Sequence, residues 1–295
     1  MAAHLSDYIA LMRLDRPVGT LLLLWPTLAA LWLAADGWPP WQLIVVFTVG
    51  TFVMRSAGCV INDFADRGWD RFVERTRSRP LTTGRVSERE ALTLFVALVA
   101  GAALLLVFLN PITRVLAVVG LALAVLYPFA KRWTYLPQVV LGAAFSWAIV
   151  MAYTSVLGRV PAEGWLAFVG SLLWIVAYDT EYAMVDRDDD IQVGIKSTAI
   201  LFGNADRFMI GLLQASALLS FALLGERQGL GVCFHVGLGI AAALFLYQQR
   251  LMRDRSRSGC FAAFRNNTWV GFALFAGVVL DFALRPLLGS SGSGL

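Results

Sequence analysis

The sequence predicts an all-α protein that crosses a membrane nine times. Three observations carry this. Of 295 residues, 58% are hydrophobic and only 15% charged, where an ordinary soluble domain has roughly 25% charged. Mean hydropathy is +0.69, more apolar surface than one soluble domain of this size can bury. The apolar residues also fall in runs long enough to span a bilayer core, which takes about 20 helical residues. Disorder is excluded by the hydrophobicity. A disulfide scaffold is excluded by three scattered cysteines, Cys59, Cys233 and Cys260, which form no ligand pattern and read as reduced packing residues.

The spans are expected at 18–36, 41–62, 91–109, 112–130, 137–157, 163–184, 208–225, 229–248 and 267–284. Helices are required, because the runs lack the alternation of barrel strands and lipid leaves no other partner for backbone polar groups. Pro26 is expected to kink the first span. Asn110-Pro111 is a turn pair that joins the third and fourth spans. Residues 289–295 are small and polar and read as a frayed tail on a single domain covering 1–295. The N-terminus lacks the basic start and cleavage site of a removable signal peptide.

Charge sets the orientation. Nineteen of the 24 Lys and Arg lie in the N-terminal arm and in the loops after even-numbered spans, four lie on the other side, and Arg55 lies within the second span. The positive-inside rule places the 19-charge side in the cytoplasm, N-terminus included. The net charge of +4 therefore reflects topology, and no nucleic-acid partner is expected. Most acids lie on the same side, which topology does not require, so a functional surface facing the cytoplasm is expected there.

Two acidic clusters stand out. Asn62, Asp66 and Asp70 follow the second span at four-residue steps, a spacing that lines one helix face and sets like charges against each other. A divalent cation would relieve that repulsion. The oxygen-only donors favour a hard ion such as Mg2+, which takes one or two carboxylates plus substrate phosphates. Tyr182, Asp186 and Asp190 repeat the spacing after the sixth span, with Asp179 beside them. A hydrated helix end is the plain alternative for either cluster alone. Together they can hold metal on opposite walls of one cavity, with a diphosphate between. Arg75, Arg77, Arg79, Lys131, Arg132 and Lys196 follow the acids, and such cations neutralise phosphate oxygens. Most arginines of 67–89 also serve topology. Trp69, Tyr127, Tyr153, Trp174, Tyr178 and Tyr182 lie among these groups, where they can face a developing carbocation or simply pack. His4 and His235 form no catalytic pair, and no phosphate-binding glycine loop is present.

The segments Gly58-Cys-Val-Ile-Asn62-Asp63-Phe-Ala-Asp66-Arg-Gly-Trp-Asp70, Arg79-Pro-Leu, Tyr127-Pro-Phe-Ala-Lys131-Arg132, Leu136 through Ser146-Trp, and Tyr178 through Lys196-Ser resemble the UbiA superfamily of intramembrane prenyltransferases. The resemblance covers essentially the whole chain. Tyr182, where many members carry Asp, is similar to the branch that prenylates 4-hydroxybenzoate. The resemblance implies nine transmembrane helices around a central cavity in the bacterial inner membrane and an active site toward the cytoplasm. It also implies Mg2+ and transfer of a polyprenyl group from its diphosphate to the carbon ortho to the phenol hydroxyl, in ubiquinone biosynthesis.

Under that resemblance the catalytic residues are Asp66, Asp70, Asp186, Lys131 and Arg132. The metal ligands are Asn62, Asp66 and Asp70 on one side, with Asp179, Asp186 and Asp190 on the other. Substrate would be bound by Arg16, Asn62, Arg79, Tyr127, Ser146, Tyr182 and Lys196, with Arg132 or Arg16 on the benzoate carboxylate. Polyprenyl diphosphate, 4-hydroxybenzoate and the lipid bilayer are the expected partners, with no obligate protein partner. A sister prenyltransferase acting on haem or naphthoate, and an ion-coupled transporter, are the alternatives.

Overall fold

In the computed structural model, residues 4–288 are described, and the 289–295 tail lies outside them. A short helix α1 (Leu5–Leu11) precedes the long helices α2 (Val18–Ala35), α3 (Trp41–Asp66), α4 (Glu88–Leu105), α5 (Pro111–Trp133), α6 (Pro137–Leu157) and α7 (Ala162–Val193). A one-turn helix α8 (Thr198–Phe202) leads into α9 (Asp206–Arg227), α10 (Val232–Leu251) and α11 (Arg257–Leu288). No strand occurs among the described residues.

Each of the nine expected spans falls on one of the long helices, and eight of these regions are long and apolar enough to cross a membrane. The exception is α7. It continues for 32 residues from the apolar span through the second acidic cluster, and Asp179, Glu181 and the acids of 186–190 lower its apolar content. α2 runs through Pro26 without interruption.

The helix ends follow local chemistry. Ser87 opens α4 with a reciprocal capping box to Glu90. At the start of α5, Asn110 Oδ1 accepts from Thr113 N at 2.9 Å, with Pro111 at the first helical position. α7 ends on Gly194 at φ +74°, a left-handed cap that suits glycine.

Helix α2 packs on α3, α6 and α11, α6 sits between α5 and α7, and α10 lies along α11. The main core runs through Leu31, Ile149, Tyr153, Trp174 and Tyr178, all 2% exposed or less. The surfaces of α4 and α5 are mostly exposed, as lipid contact requires. A smaller cluster at the end bearing the acids joins Leu11 of α1 to Val60, Leu81, Val86 and Ala91. It seats α1 and the 67–87 connection as a cap on the end of α3. The three cysteines are free.

Candidate active site

Beneath that cap lies a cavity of about 1130 Å3, somewhat larger than most small-ligand sites. Polar groups gather at its capped end. Leu22, Val46, Phe47, Leu106 and Leu109 line the other end, so the cavity is polar at one pole and apolar at the other.

Both acidic clusters reach it. Asn62, Asp66 and Asp70 line one wall, and Asp179, Tyr182, Asp186 and Asp190 the opposite one. The walls are close, because Arg75, from the connection following the first cluster, donates through Nε and Nη2 to Asp186 on α7. Its guanidinium also lies 4.5 Å from the Tyr182 ring centroid. Asp66 and Asp70 do not share one helix as the spacing predicts. α3 ends at Asp66, the chain turns through Arg67–Trp69, and Asp70 opens a separate 3-10 turn. Gly68 in that turn weakens helix continuation, yet Asp70 still reaches the cavity.

The carboxylates are neutralised by cations from distant segments. Lys131 of α5 pairs with Asp66. Arg79 bridges Asp63 and Asp70, at 2.9 and 2.8 Å. Arg13 closes on Asp63 through both carboxylate oxygens, at 3.0 and 2.9 Å. Burial pushes the Asp70 carboxyl up to about 6 against the pull of Arg79. Among the described residues no three His, Cys, Asp or Glu side chains are arranged as a ready chelate. The donors nonetheless fit a hard cation arriving with an anionic substrate. Asp66 Oδ1 is buried with no hydrogen-bond partner, Asn62 Nδ2 steadies Asp66 Oδ2 at 3.1 Å, and the surrounding donors are oxygens.

The other expected residues divide. Tyr127, Arg79 and Lys196 line the cavity, as does Arg16 at its mouth, where its side chain is 75% exposed. Two do not line it. Arg132 lies against the rings of Trp69 and Phe129 and donates to Ala65 O at 2.9 Å. Ser146 is buried behind its cavity-lining neighbours Phe145 and Trp147.

Arg13, Asp63 and Arg55 all line the cavity and were missed as site residues. Arg55 lines the cavity from within α3, with its Nε buried and unpartnered and its guanidinium 5.6 Å from the Phe145 ring centroid. Gly19 of α2 leaves space for the end of the Arg55 side chain. A Cβ there would lie 2.5 Å from Arg55 Nη2. A lone arginine inside an apolar span was the available signal.

The UbiA prenyltransferase family model matches residues 23–277. The chain belongs to the UbiA prenyltransferase family. A relative from Marinobacter nauticus, 4-hydroxybenzoate octaprenyltransferase, is 56% identical over 95% of this chain and 96% of its own length. The protein of the same name from Ectopseudomonas mendocina is 55% identical over 95% and 94%. Among solved structures, a UbiA homolog from Aeropyrum pernix K1 matches with a TM-score of 0.80 at 27% identity, covering 90% of this chain and 98% of that one. A UbiA homolog from Archaeoglobus fulgidus bound to GPP and Mg2+ shares the fold, with a TM-score of 0.70 at 19% identity over 91% and 99%. With its apolar helices, this UbiA-family chain is a multi-pass membrane protein.

Proposed function

We propose that this protein transfers a polyprenyl group from a polyprenyl diphosphate to the ring carbon ortho to the hydroxyl of 4-hydroxybenzoate, releasing diphosphate, in ubiquinone biosynthesis. The observation that carries the reaction is the convergence of two acidic walls and their cations at the polar pole of one otherwise apolar cavity. The acceptor is inferred from relatives about 55% identical over 95% of the chain.

Asn62, Asp66 and Asp70 on one wall, with Asp179, Asp186 and Asp190 on the other, would hold Mg2+. When bound, the ion neutralises charge on the diphosphate oxygens as the ester bond ionises. Arg75, Arg79 and Lys131, now paired with the acids, turn to phosphate oxygens when the donor binds, while Lys196 waits at the cavity edge. Ionisation breaks the bond between the allylic carbon and oxygen, and the electron pair leaves with diphosphate. Preorganised cations favour that separation. Tyr182, Phe264 and Tyr127 line the cavity, where an aromatic ring can stabilise the allylic cation. The apolar pole takes the isoprenoid tail and keeps water from the cation. The phenol ring forms the new carbon–carbon bond and then loses its ring proton to a wall carboxylate or the released diphosphate.

Arg55 is the group placed for the benzoate carboxylate, in preference to Arg132 and Arg16. It is half-buried with its Nε enclosed and unpartnered, forms no salt bridge among the described residues, and precedes Asn62 by seven residues on α3, or about 10 Å along the helix. An acceptor anchored there would extend its phenol end toward the diphosphate. The active site is read as opening to the cytoplasm across the bacterial inner membrane.

Incubating the purified chain in detergent with 4-hydroxybenzoate, a series of polyprenyl diphosphates and Mg2+ or EDTA tests the proposal. Prenylated hydroxybenzoate that disappears with EDTA is expected. Absence of product with Mg2+ present, or prenylation of a naphthoate or haem acceptor instead, would overturn it.

A further inference from the structure

Behind the α7 wall lies a second polar cluster that the reaction does not use. Glu181 is wholly buried and does not line the cavity. Its Oε2 accepts from Asn267 Nδ2 of α11 at 2.8 Å, and its Oε1 accepts from Gln214 Nε2 of α9 at 3.2 Å. Gln214 Nε2 also donates to Gln248 Oε1 of α10 at 2.8 Å, and Gln248 Nε2 to Asn266 Oδ1 at 3.0 Å. Four helices thus meet around one carboxyl group, which forms no ion pair among the described residues. The Asn267 amide can face only one way. Its Oδ1 accepts from Trp174 Nε1 at 2.8 Å, so its Nδ2 must point at Glu181.

The cluster is coupled to the cavity by helix geometry. Glu181 adjoins Tyr182, follows Asp179 by two residues and precedes Asp186 by five, so these three face the cavity while Glu181 faces the other way. On α11, Asn267 follows Phe264 by three residues, and the Phe264 and Tyr182 ring centroids lie 4.6 Å apart. The hydrogen bonds and the ring pair are therefore adjacent rungs of one α7–α11 contact. A shift of one residue between the helices, about 1.5 Å and 100°, would break both Asn267 bonds together. It would also turn the acids out of line.

We propose that Glu181 and Asn267 are positioning residues, which lock the register of α7 on α11 and so aim Asp179, Tyr182 and Asp186 into the cavity. Glu181 works as a hydrogen-bond acceptor and moves no proton of the reaction. The inference rests on the prenyl-transfer reading.

The test compares Glu181→Gln, Glu181→Leu, Asn267→Ala and, as a control at the far side of the network, Gln248→Leu, all in the purified full chain. Activity at saturating 4-hydroxybenzoate and donor, half-saturating Mg2+ and thermal midpoint are measured for each. Glu181→Leu and Asn267→Ala are expected to lower kcat at least tenfold and raise half-saturating Mg2+, with KM for 4-hydroxybenzoate unchanged. Glu181→Gln, which keeps an acceptor oxygen, should stay within threefold of the parent. Gln248→Leu should lose thermal stability without loss of kcat. Parental kcat in folded Glu181→Leu overturns the inference, as does a Glu181→Gln loss equal to that of Glu181→Leu, or a kcat loss in all four that tracks thermal midpoint. If Glu181→Leu does not survive purification, Asn267→Ala alone decides. An inactive parent chain would instead refute the prenyl-transfer reading.

Discussion

Asp66 and Asp186 stand on opposite walls, each held by a cation that the proposed mechanism turns toward the diphosphate. Replacing either with Asn keeps its shape and removes its charge. Turnover is expected to fall by at least a thousandfold in either variant, with the protein still inserting into membranes. Activity close to the parent's would remove that residue from the metal-binding role. Arg55 has a different signature. Arg55→Leu is expected to raise KM for 4-hydroxybenzoate by about 30- to 1000-fold, equivalent to about 2–4 kcal/mol for a buried charge-assisted contact, with donor KM unchanged. An unaltered acceptor KM would return the carboxylate role to another cation. The acids were legible because their clustering is written directly in the chain, although Asp70 reaches the cavity from a separate turn. Arg55 was not, because its role depends on the space left by Gly19 of a neighbouring helix.

Helix α7 shows how one element can serve several tasks. Its first half is an apolar span, its middle carries the acids of the site, and its last turns bear Arg187, which pairs with Asp206. Asp206 is wholly buried and also holds Arg255, at 2.8 Å. It thereby ties α7, α9 and the turn before α11 at the capped end. Asp206→Ala would leave two partly exposed arginines without their partner. Solvent screening reduces the cost to about 2–3 kcal/mol, below that of a fully buried pair. A lower thermal midpoint in detergent is expected, with KM values retained. An unchanged midpoint would show that the tie carries no stability. Close approach between α10 and α11 rests on Gly237, where a Cβ would lie 2.6 Å from Ala273 O. A larger residue there has to push the helices apart.

At the scale of the molecule, the asymmetry of charge and the position of the cavity agree. The acids, their cations and the cap all lie at the end that the arginine count assigns to the cytoplasm. This can be checked with a membrane-impermeant thiol reagent on variants whose native cysteines are replaced by alanine. Asp188→Cys should label in inside-out vesicles and Arg159→Cys in right-side-out vesicles. The opposite pattern would invert the topology.

Composition, run length and charge bias were enough to read the all-helical class and the succession of spans, and they put both acidic clusters on one side of the membrane. Hydrophobic run length, charge bias and helical spacing are local quantities that need no partner to be read. Packing of distant helices settled that both clusters line one cavity, that α7 runs unbroken through its acids, that Asp70 leaves the helix of Asp66, and that Arg132 and Ser146 stand off the cavity while Arg55 enters it. Each of those depends on what another helix places alongside, and a buried charge takes its place from the groups available to solvate it.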